Sequence, residues 1–474
     1  MTRREFFKAM TLGTGLLFLG CDHAFGQVRG RSRRVTISSN NPSIRLNSRR
    51  CRRGCNDCQS FCRGTMSVYG WGVPSGEDAC IHCGQCTIIC PTRAITERYH
   101  YWDVNRVISA PDKIVIATTA PAIRVALGET YGLTPGTDVE GRIVGALKHI
   151  GVDHVLDVTF AADLTAVEEA AELLQRLESG GAGDPLPLFT SCCPAWVRFV
   201  RLFYPRLLPN LSTVKSPLLM QGALVKTWFA QRMGIDPARI VTVAFAPCTA
   251  KKAEILLPGK NSAGIVNGNT HMRDVDFVLT TRELAYLLNA NNADFLQRQD
   301  APYSPMMGTG SGAGLIFGNT GGVMEASLRT AYSLLNGRNP PARFFNLTPV
   351  RGMASIRRAS VDLGRRTLNV AVVNGMSNAR QFLESIQSGS ARYDFIEVMA
   401  CSGGCIGGGG QPRSSMDTAS LTQLRKNTLF RRDDASGIRL SYNNPQVRAI
   451  YNDFLGEPLS AKAKALLHSS QQTN

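Results

Sequence analysis

The residues of this chain whose type and spacing point most directly to chemistry are its cysteines. Of 14, eight fall between Cys51 and Cys90. Cys80, Cys83, Cys86 and Cys90, with Pro91 behind them, follow the spacing that wraps a 4Fe–4S cubane in three close thiolates and lends the fourth to a second cluster. Cys51, Cys55, Cys58 and Cys62 repeat the device with one more residue in the first gap and Arg63 in place of proline. If the exchange holds, Cys51, Cys55, Cys58 and Cys90 hold one cluster, and Cys62, Cys80, Cys83 and Cys86 the other. Paired zinc sites or disulfides are the alternatives. Zinc ribbons do not normally crowd cysteines this densely, and disulfides need an oxidising compartment.

The remaining cysteines are Cys21, Cys192, Cys193, Cys248, Cys401 and Cys405. Cys192 and Cys193 are adjacent, and neighbours in sequence rarely bond to each other because the ring is strained. Cys401 and Cys405 are four apart, so one helical turn would bring both sulfurs to one face. Gly407 to Gly410 follow, a loop that lets backbone approach something bulky. That pair, Cys248 and one of Cys192/Cys193 make four thiolates from three distant segments, the ligand count of a further metal centre. One cysteine is left over.

Those cysteines need elements to hold them. "DKIVIATTA" (112–120), "RIVTVAFAP" (239–247) and "LNVAVVNG" (368–375) are apolar runs ending at turns, the pattern of buried strands. "TAVEEAAELLQRLES" (165–179) and "TRELAYLLNA" (281–290) have helical periodicity. Strand and helix in alternation predict parallel sheets covered by helices. Cys192/Cys193, Cys248 and Cys401/Cys405 each follow an apolar run, where such folds place their chemistry.

Composition bounds the rest. The 474 residues suffice for two or three domains, with 43% hydrophobic and 19% charged residues. Net charge is +17. Nine arginines lie between Arg29 and Arg53, which predicts a poorly ordered basic arm over 27–48, able to dock an acidic redox partner or an anionic membrane, or simply solvated. Nucleic acid is not an expected partner. Residues 1–26 resemble a twin-arginine export signal: Arg3–Arg4, then Phe6, Phe7 and Lys8, then an uncharged run from Ala9 to Gly20 too short to span a bilayer. Cleavage after Gly26 is expected, with lipid attachment at Cys21 as the alternative. No mature membrane span is expected.

Three longer motifs, "TSCCPAW" (190–196), "APCTAKKAE" (246–254) and "EVMACSGGCIGGGGQP" (397–412), make the chain resemble the iron-only, or FeFe, hydrogenases. The likeness covers roughly 50–413, including "KSP" (215–217), "TTREL" (280–284) and "FGNTGGVMEA" (317–326). In outline it resembles the periplasmic sulfate-reducer type, normally two chains. Here a small-subunit-like signal and a tail (443–468) similar to that subunit's wrapping segment belong to the same chain. The resemblance implies an α/β, two-lobed catalytic domain of parallel sheets flanked by helices (101–413). It also implies a small two-cluster, bacterial-ferredoxin-like α+β domain (49–100) and a small-subunit-like tail (414–474).

The resemblance also implies roles. Cys193, Cys248, Cys401 and Cys405 would hold the cubane of an H-cluster. Cys405 would bridge it to a two-iron subcluster carrying CO, cyanide and a dithiolate amine. Two additional 4Fe–4S clusters would complete the cofactors. Cys192, the spare thiol, would pass protons on to Glu169, Ser212 and Glu172, with Arg176 near the surface end. Lys251 would bond a cyanide ligand, Lys252 being a surface lysine. Pro121, Ala122, Phe317 and Met399 would surround the diiron unit. Ala246 departs from the family's usual methionine and leaves more room there. The implied reaction is reversible oxidation of hydrogen to protons and electrons. The electrons would go to a redox carrier such as a periplasmic c-type cytochrome or a ferredoxin. Hydrogenase maturation proteins and the twin-arginine machinery would be further partners. A non-catalytic assembly factor and a hydrogen sensor are the competing functions; the retained Cys192 and the absence of any signalling segment weigh against them.

Overall fold

The computed structural model describes residues 35–73, 79–181, 183–387, 389 and 392–469. The signal-like residues 1–26, Cys21 among them, lie outside these, as do 27–34. Residues 35–48, expected to be part of a loose arm, are instead folded. Val35 and Ile44 are buried, Val35 against Cys58, Cys90 and Ile95. Strand β1 (Ile44–Leu46) pairs antiparallel with β2 (Ile95–Glu97). The side-chain oxygen of Asn41 accepts from the amides of Ser43 and Ile44, both at 3.0 Å, and turns the chain into β1. The arginines between them dominate the composition and hide these few apolar anchors. Helices Asp57–Gly64 and Gln85–Ile89 complete the small module.

The rest is built on two four-stranded sheets. One has the order β4 (His154–Asp157), β3 (Ile114–Thr119), β6 (Ile240–Ala246), β7 (Phe277–Thr280), all parallel. The other runs β5 (Leu188–Phe189), β10 (Phe395–Met399), β9 (Thr367–Asn374), β8 (Ile356–Asp362); its first three strands are parallel and β8 is an antiparallel edge. The near-continuous apolar character of β3, β6 and β10 follows from burial on both faces. This is the α/β architecture expected from the alternation of runs and helices.

Helix Val158–Glu178 packs against the helices Pro217–Leu224 and Gly322–Asn336. Asp157 caps it, accepting from the amide of Thr159 at 2.9 Å. Ala161, Ala162, Ala166 and Ala170 are all buried along it and let its neighbours come close. Yet Glu168, Glu169, Glu172 and Arg176 on the same helix are also buried. Ionisable groups in such a place must be paired or functional.

The tail closes over this body. Helix Thr418–Asp434 sends Arg425 to Glu129 and to the carbonyl of Ile406, each at 2.6 Å. Further on, Val447, Ile450, Leu466 and Leu467 join the core of the first sheet's lobe. Among the described residues, no helix is long and apolar enough to cross a membrane.

Candidate functional site

Cys193, Cys248 and Cys401 lie within a few residues of the C-terminal ends of β5, β6 and β10, and Cys405 follows in the same loop as Cys401. Strands of both sheets thus deliver their thiols to one place between the lobes. Burial, then the charge of neighbouring thiols, pushes Cys405 up to about 12 and Cys248 up to about 11. Cys401 lies well above the ordinary thiol for the same reasons, with Cys248 and Cys193 as its nearest charges. Backbone amides oppose this at Cys193, which receives donors from Ala400, Trp196 and Ala195. Gln85 donates to the sulfur of Cys401 at 3.2 Å. Crowded, buried thiols with N–H donors aimed at sulfur are suited to a soft, positively charged metal group, which alone makes their ionised forms favourable.

Cys401 and Cys405 are not on a helical turn. Between them Gly403 and Gly404 take φ of +77° and +94°, which a helix cannot contain. A Cβ on Gly404 would meet the backbone nitrogen of Thr320 at 2.6 Å. One on Gly409 would meet the carbonyl oxygen of Cys83 at 2.1 Å. Gly404 thus presses the loop against the backbone at Thr320, and Gly409 presses it against the small module.

That contact joins the cysteine groups. Among charges acting on Cys83, Cys401 is the largest, followed by Cys86 and Cys62. Cys62 in turn feels Cys80, and Cys58 feels Cys90 and Cys55. The structure thus brings together the two quartets that the exchange of fourth ligands requires, with Cys51 packed at the Cys58–Cys90 group. A cavity of about 240 Å³ is lined by Cys62, Cys80, Cys83 and Cys86. All thirteen described cysteines are free thiols. Among the described residues no three His, Cys, Asp or Glu side chains converge closely enough for a single metal ion. The buried amide of Asn319, two residues from Phe317, has no hydrogen-bond partner at either atom, another sign of a group to be accommodated nearby.

One arginine locks the module to the catalytic loop. Arg282 bonds both carboxylate oxygens of Glu97 at 2.8 and 2.9 Å. It also donates to Thr87 and to the carbonyls of Gly409 and Gln411. The Arg282 charge, outweighing burial, holds Glu97 below the usual range.

Cys192 packs with Phe317, Met399, Ala162 and Ala166. Burial, then the nearby Glu169, holds its thiol well above the ordinary value, so it stays protonated. Glu169 is itself pushed up to about 8, first by burial and second by the charge of Glu172. Hydrogen bonds with Ser327, which donates at 3.2 Å, and with Ser212 pull it the other way. Ser212 also donates to Glu172 at 2.7 Å. Glu172 lines a cavity of about 430 Å³ with Gln175, Asp184, Lys464 and His468. Glu169, Ser212 and Glu172 thus form a chain to a cavity wall, with Cys192 close enough to its inner end to feel the Glu169 charge.

Other expected residues fall as follows. Ala122 is buried beside Cys405, and Pro121 is buried next to it in the turn after β3. Lys251 donates to the carbonyl of Cys192 at 3.1 Å and pairs with Glu254 at 2.8 Å. Lys252 is not a surface residue: 1% exposed, it pairs with Glu283 at 2.8 Å and donates to the carbonyl of Val278. Arg176 is not at the surface either. It is buried, bonds Glu172 at 2.6 Å and caps the carbonyls of Pro185, Pro209 and Leu211. A charged side chain on a helix suggests exposure unless its partners are visible, and apart from Glu172 these partners lie outside its own helix.

One network had no sequence signal. His468 of the tail bonds Thr213 at 2.8 Å and Glu168 at 3.0 Å. Tyr451 and the amide of Leu459 also bond Glu168. The amide of Thr213 in turn donates to Glu172 at 3.2 Å. The tail therefore buttresses the outer end of the chain that starts at Cys192.

Fold and site together define an iron–sulfur redox enzyme with buried cysteines gathered between its lobes. A profile for the C-terminal domain of the iron-only hydrogenase large subunit matches residues 113–409. Profiles for the iron hydrogenase small subunit and for a 4Fe–4S binding domain match 419–470 and 76–96. The chain belongs to the iron-only hydrogenase family. It is 43% identical to the NADP-reducing hydrogenase subunit HndD of Solidesulfovibrio fructosivorans, over 89% of this chain and 72% of that one. It is 41% identical to the periplasmic Fe hydrogenase large subunit of Nitratidesulfovibrio vulgaris, over 72% and 86%. A solved structure of apo HydA1 from Chlamydomonas reinhardtii superposes with a TM-score of 0.68 at 38% identity, covering 79% of this chain and 98% of that one. Cytosolic iron–sulfur assembly factors are more distant; that of Danio rerio is 28% identical over 77% of this chain. The chain is an enzyme of hydrogen metabolism.

Proposed function

We propose that the chain oxidises molecular hydrogen reversibly at an H-cluster held by Cys193, Cys248, Cys401 and Cys405. When bound, the diiron unit would supply the point at which the H–H bond is made or split. The chain's own residues do the rest. Cys192, kept protonated by burial, faces the centre and exchanges its proton with Glu169. Ser212 relays between Glu169 and Glu172, and Glu172 meets the cavity. Lys251 fixes the Cys192 backbone and presents a cation beside the centre. Phe317, Met399, Pro121 and Ala122 form an apolar wall. Electrons leave through the Cys62/Cys80/Cys83/Cys86 quartet and then the Cys51/Cys55/Cys58/Cys90 quartet, each taken as a 4Fe–4S site.

The observation that carries this reading is the run of Glu169, Ser212 and Glu172 that leads from the neighbourhood of Cys192 to the cavity, beside the gathered thiols. Cys192→Ser tests it: iron content should persist while turnover falls about a hundredfold or more. Undiminished turnover would refute the relay. We further place the mature protein in the periplasm on the strength of Arg3–Arg4 and the run behind them, and take hydrogen uptake as its working direction from that location and the family. Lipidation at Cys21 is the less favoured variant. Replacing both arginines with lysine should strand the protein in the cytoplasm; unchanged fractionation would remove the export proposal.

A further inference from the structure

The small module reaches into the catalytic quartet through one turn. Thr249, next to Cys248, donates its hydroxyl to the carbonyl of His82 at 2.6 Å. A Cβ on Gly84, whose φ is +72°, would meet that hydroxyl at 2.2 Å. One residue on, Gln85 turns its side chain to the other thiol-bearing loop. Its amide nitrogen donates to the sulfur of Cys401 at 3.2 Å and to the carbonyl of Gly407 at 2.8 Å. A carbonyl can only accept, so the nitrogen end of the amide must face this pair. The backbone amide of Gln85 faces the sulfur of Cys83. A single residue thus donates, through two different groups, to a thiol of the module and to a thiol of the catalytic quartet.

Among the described residues no other side chain hydrogen-bonds Cys193, Cys248, Cys401 or Cys405. Cys193 and Cys248 draw on backbone amides instead. Gln85 is buried, so little water competes for its N–H. Negative charge on a ligand sulfur grows when the iron group it holds takes up an electron. An N–H aimed at that sulfur therefore favours the reduced state.

We propose that Gln85, a residue of the module rather than of the catalytic lobe, is a positioning residue of the reaction centre: its side-chain N–H raises the reduction potential of the cubane held by Cys193, Cys248, Cys401 and Cys405. The inference rests on those four thiols holding a cubane. The couple is a one-electron couple: reduction adds one electron to the cubane and breaks no bond to sulfur. Raising its potential holds the electron nearer the centre and makes the step towards the Cys83 quartet less favourable.

The test is a potential and needs no hydrogen turnover. The cluster-loaded full chain is titrated with dithionite and mediators and read by low-temperature electron paramagnetic resonance, with iron and sulfide per chain confirming that the clusters are filled. The parent should show three one-electron centres, and the one lost in Cys248→Ser is the catalytic cubane. In Gln85→Met the ratio of reduced to oxidised catalytic cubane at a fixed potential should fall about tenfold, a midpoint shift of about 59 mV. Gln85→Leu, different in shape but also without the donor, should give the same shift. The centre of the Cys83 quartet should stay where it is, because the backbone amide of Gln85 remains. Thr87→Val removes the module's bond to the carbonyl of Gly409, 3.2 Å in the parent, and leaves Gln85 in place; it should move neither centre. An unmoved catalytic cubane in both Gln85 variants would overturn the proposal. An equal shift in Thr87→Val would overturn it too, assigning the effect to docking of the module. Two centres rather than three in the fully loaded parent would remove the catalytic cubane itself, and the proposal with it.

Discussion

The carboxyl of Glu169 makes the relay's pH dependence calculable. Burial and the neighbouring Glu172 raise it to about 8 from an ordinary 4.5. At pH 7 only about one chain in ten then carries it ionised and ready to accept a proton from Cys192. Outward proton transfer, and so hydrogen oxidation limited by it, should rise with pH and level off above about 8. Proton reduction should lose its supply over the same range. Ser327 donates to Glu169 and lowers its pKa. A hydrogen bond of about 1 kcal/mol corresponds to somewhat less than one pH unit, so Ser327→Ala should carry the rising limb from about 8 towards 9. The sign for stability is opposite to that of an ordinary salt-bridged acid. The fold prefers the neutral form, so Glu169 costs nothing below about 4.5, and its cost grows to about 5 kcal/mol as pH rises through 8. Glu169→Gln should therefore lose most turnover yet resist denaturant better than the parent at pH 9, with little difference at pH 4. The assays are rate against pH in both directions with an artificial carrier, and urea titration at the two pH values. A limb that stays put in Ser327→Ala, or a Glu169→Gln enzyme with full turnover, would refute the reasoning.

Arg282→Met leaves the Glu97 carboxylate buried and unpaired and should cost about 3–5 kcal/mol; hydrogen exchange over 79–97 should rise sharply, and unchanged exchange would show that the bridge does not hold the module. His468→Ala removes bonds to Glu168 and Thr213 and should loosen the tail helix by about 1–3 kcal/mol, read as faster exchange over 459–468; a tail as protected as the parent's would count against its buttressing role. Ala246 ends β6, buried with Ala120 packed against its cluster, so Ala246→Met should fill space beside the reaction centre and change inhibition by CO; identical inhibition curves would show that the space does not reach the centre.

Much of this was legible in the order of residues, for identifiable reasons. β3, β6 and β9 announce themselves as apolar runs because parallel strands covered on both faces need no polar alternation. The cysteine runs declare cubane sites because ligand spacing is local. What was hidden depends on distant partners. Lys252 and Arg176 look solvent-facing until Glu283 and the carbonyls of Pro185, Pro209 and Leu211 fold against them. The Cys401–Cys405 spacing suggests a helix, but Gly403 and Gly404 take positive φ, and a side chain at Gly404 would strike the Thr320 backbone. Val35 and Ile44 were lost among arginines. His468 lies some 300 residues from Glu168 and carries no motif, so only the folded tail could place it.

The most direct test of the central claim is infrared spectroscopy of the protein produced with the maturation machinery, recorded under hydrogen and then under argon. Bands from metal-bound CO and cyanide that shift with the gas would establish a working diiron site at the four converged thiols. A sample whose iron and sulfide show filled cubanes but which lacks such bands would contradict it and favour the assembly-factor alternative.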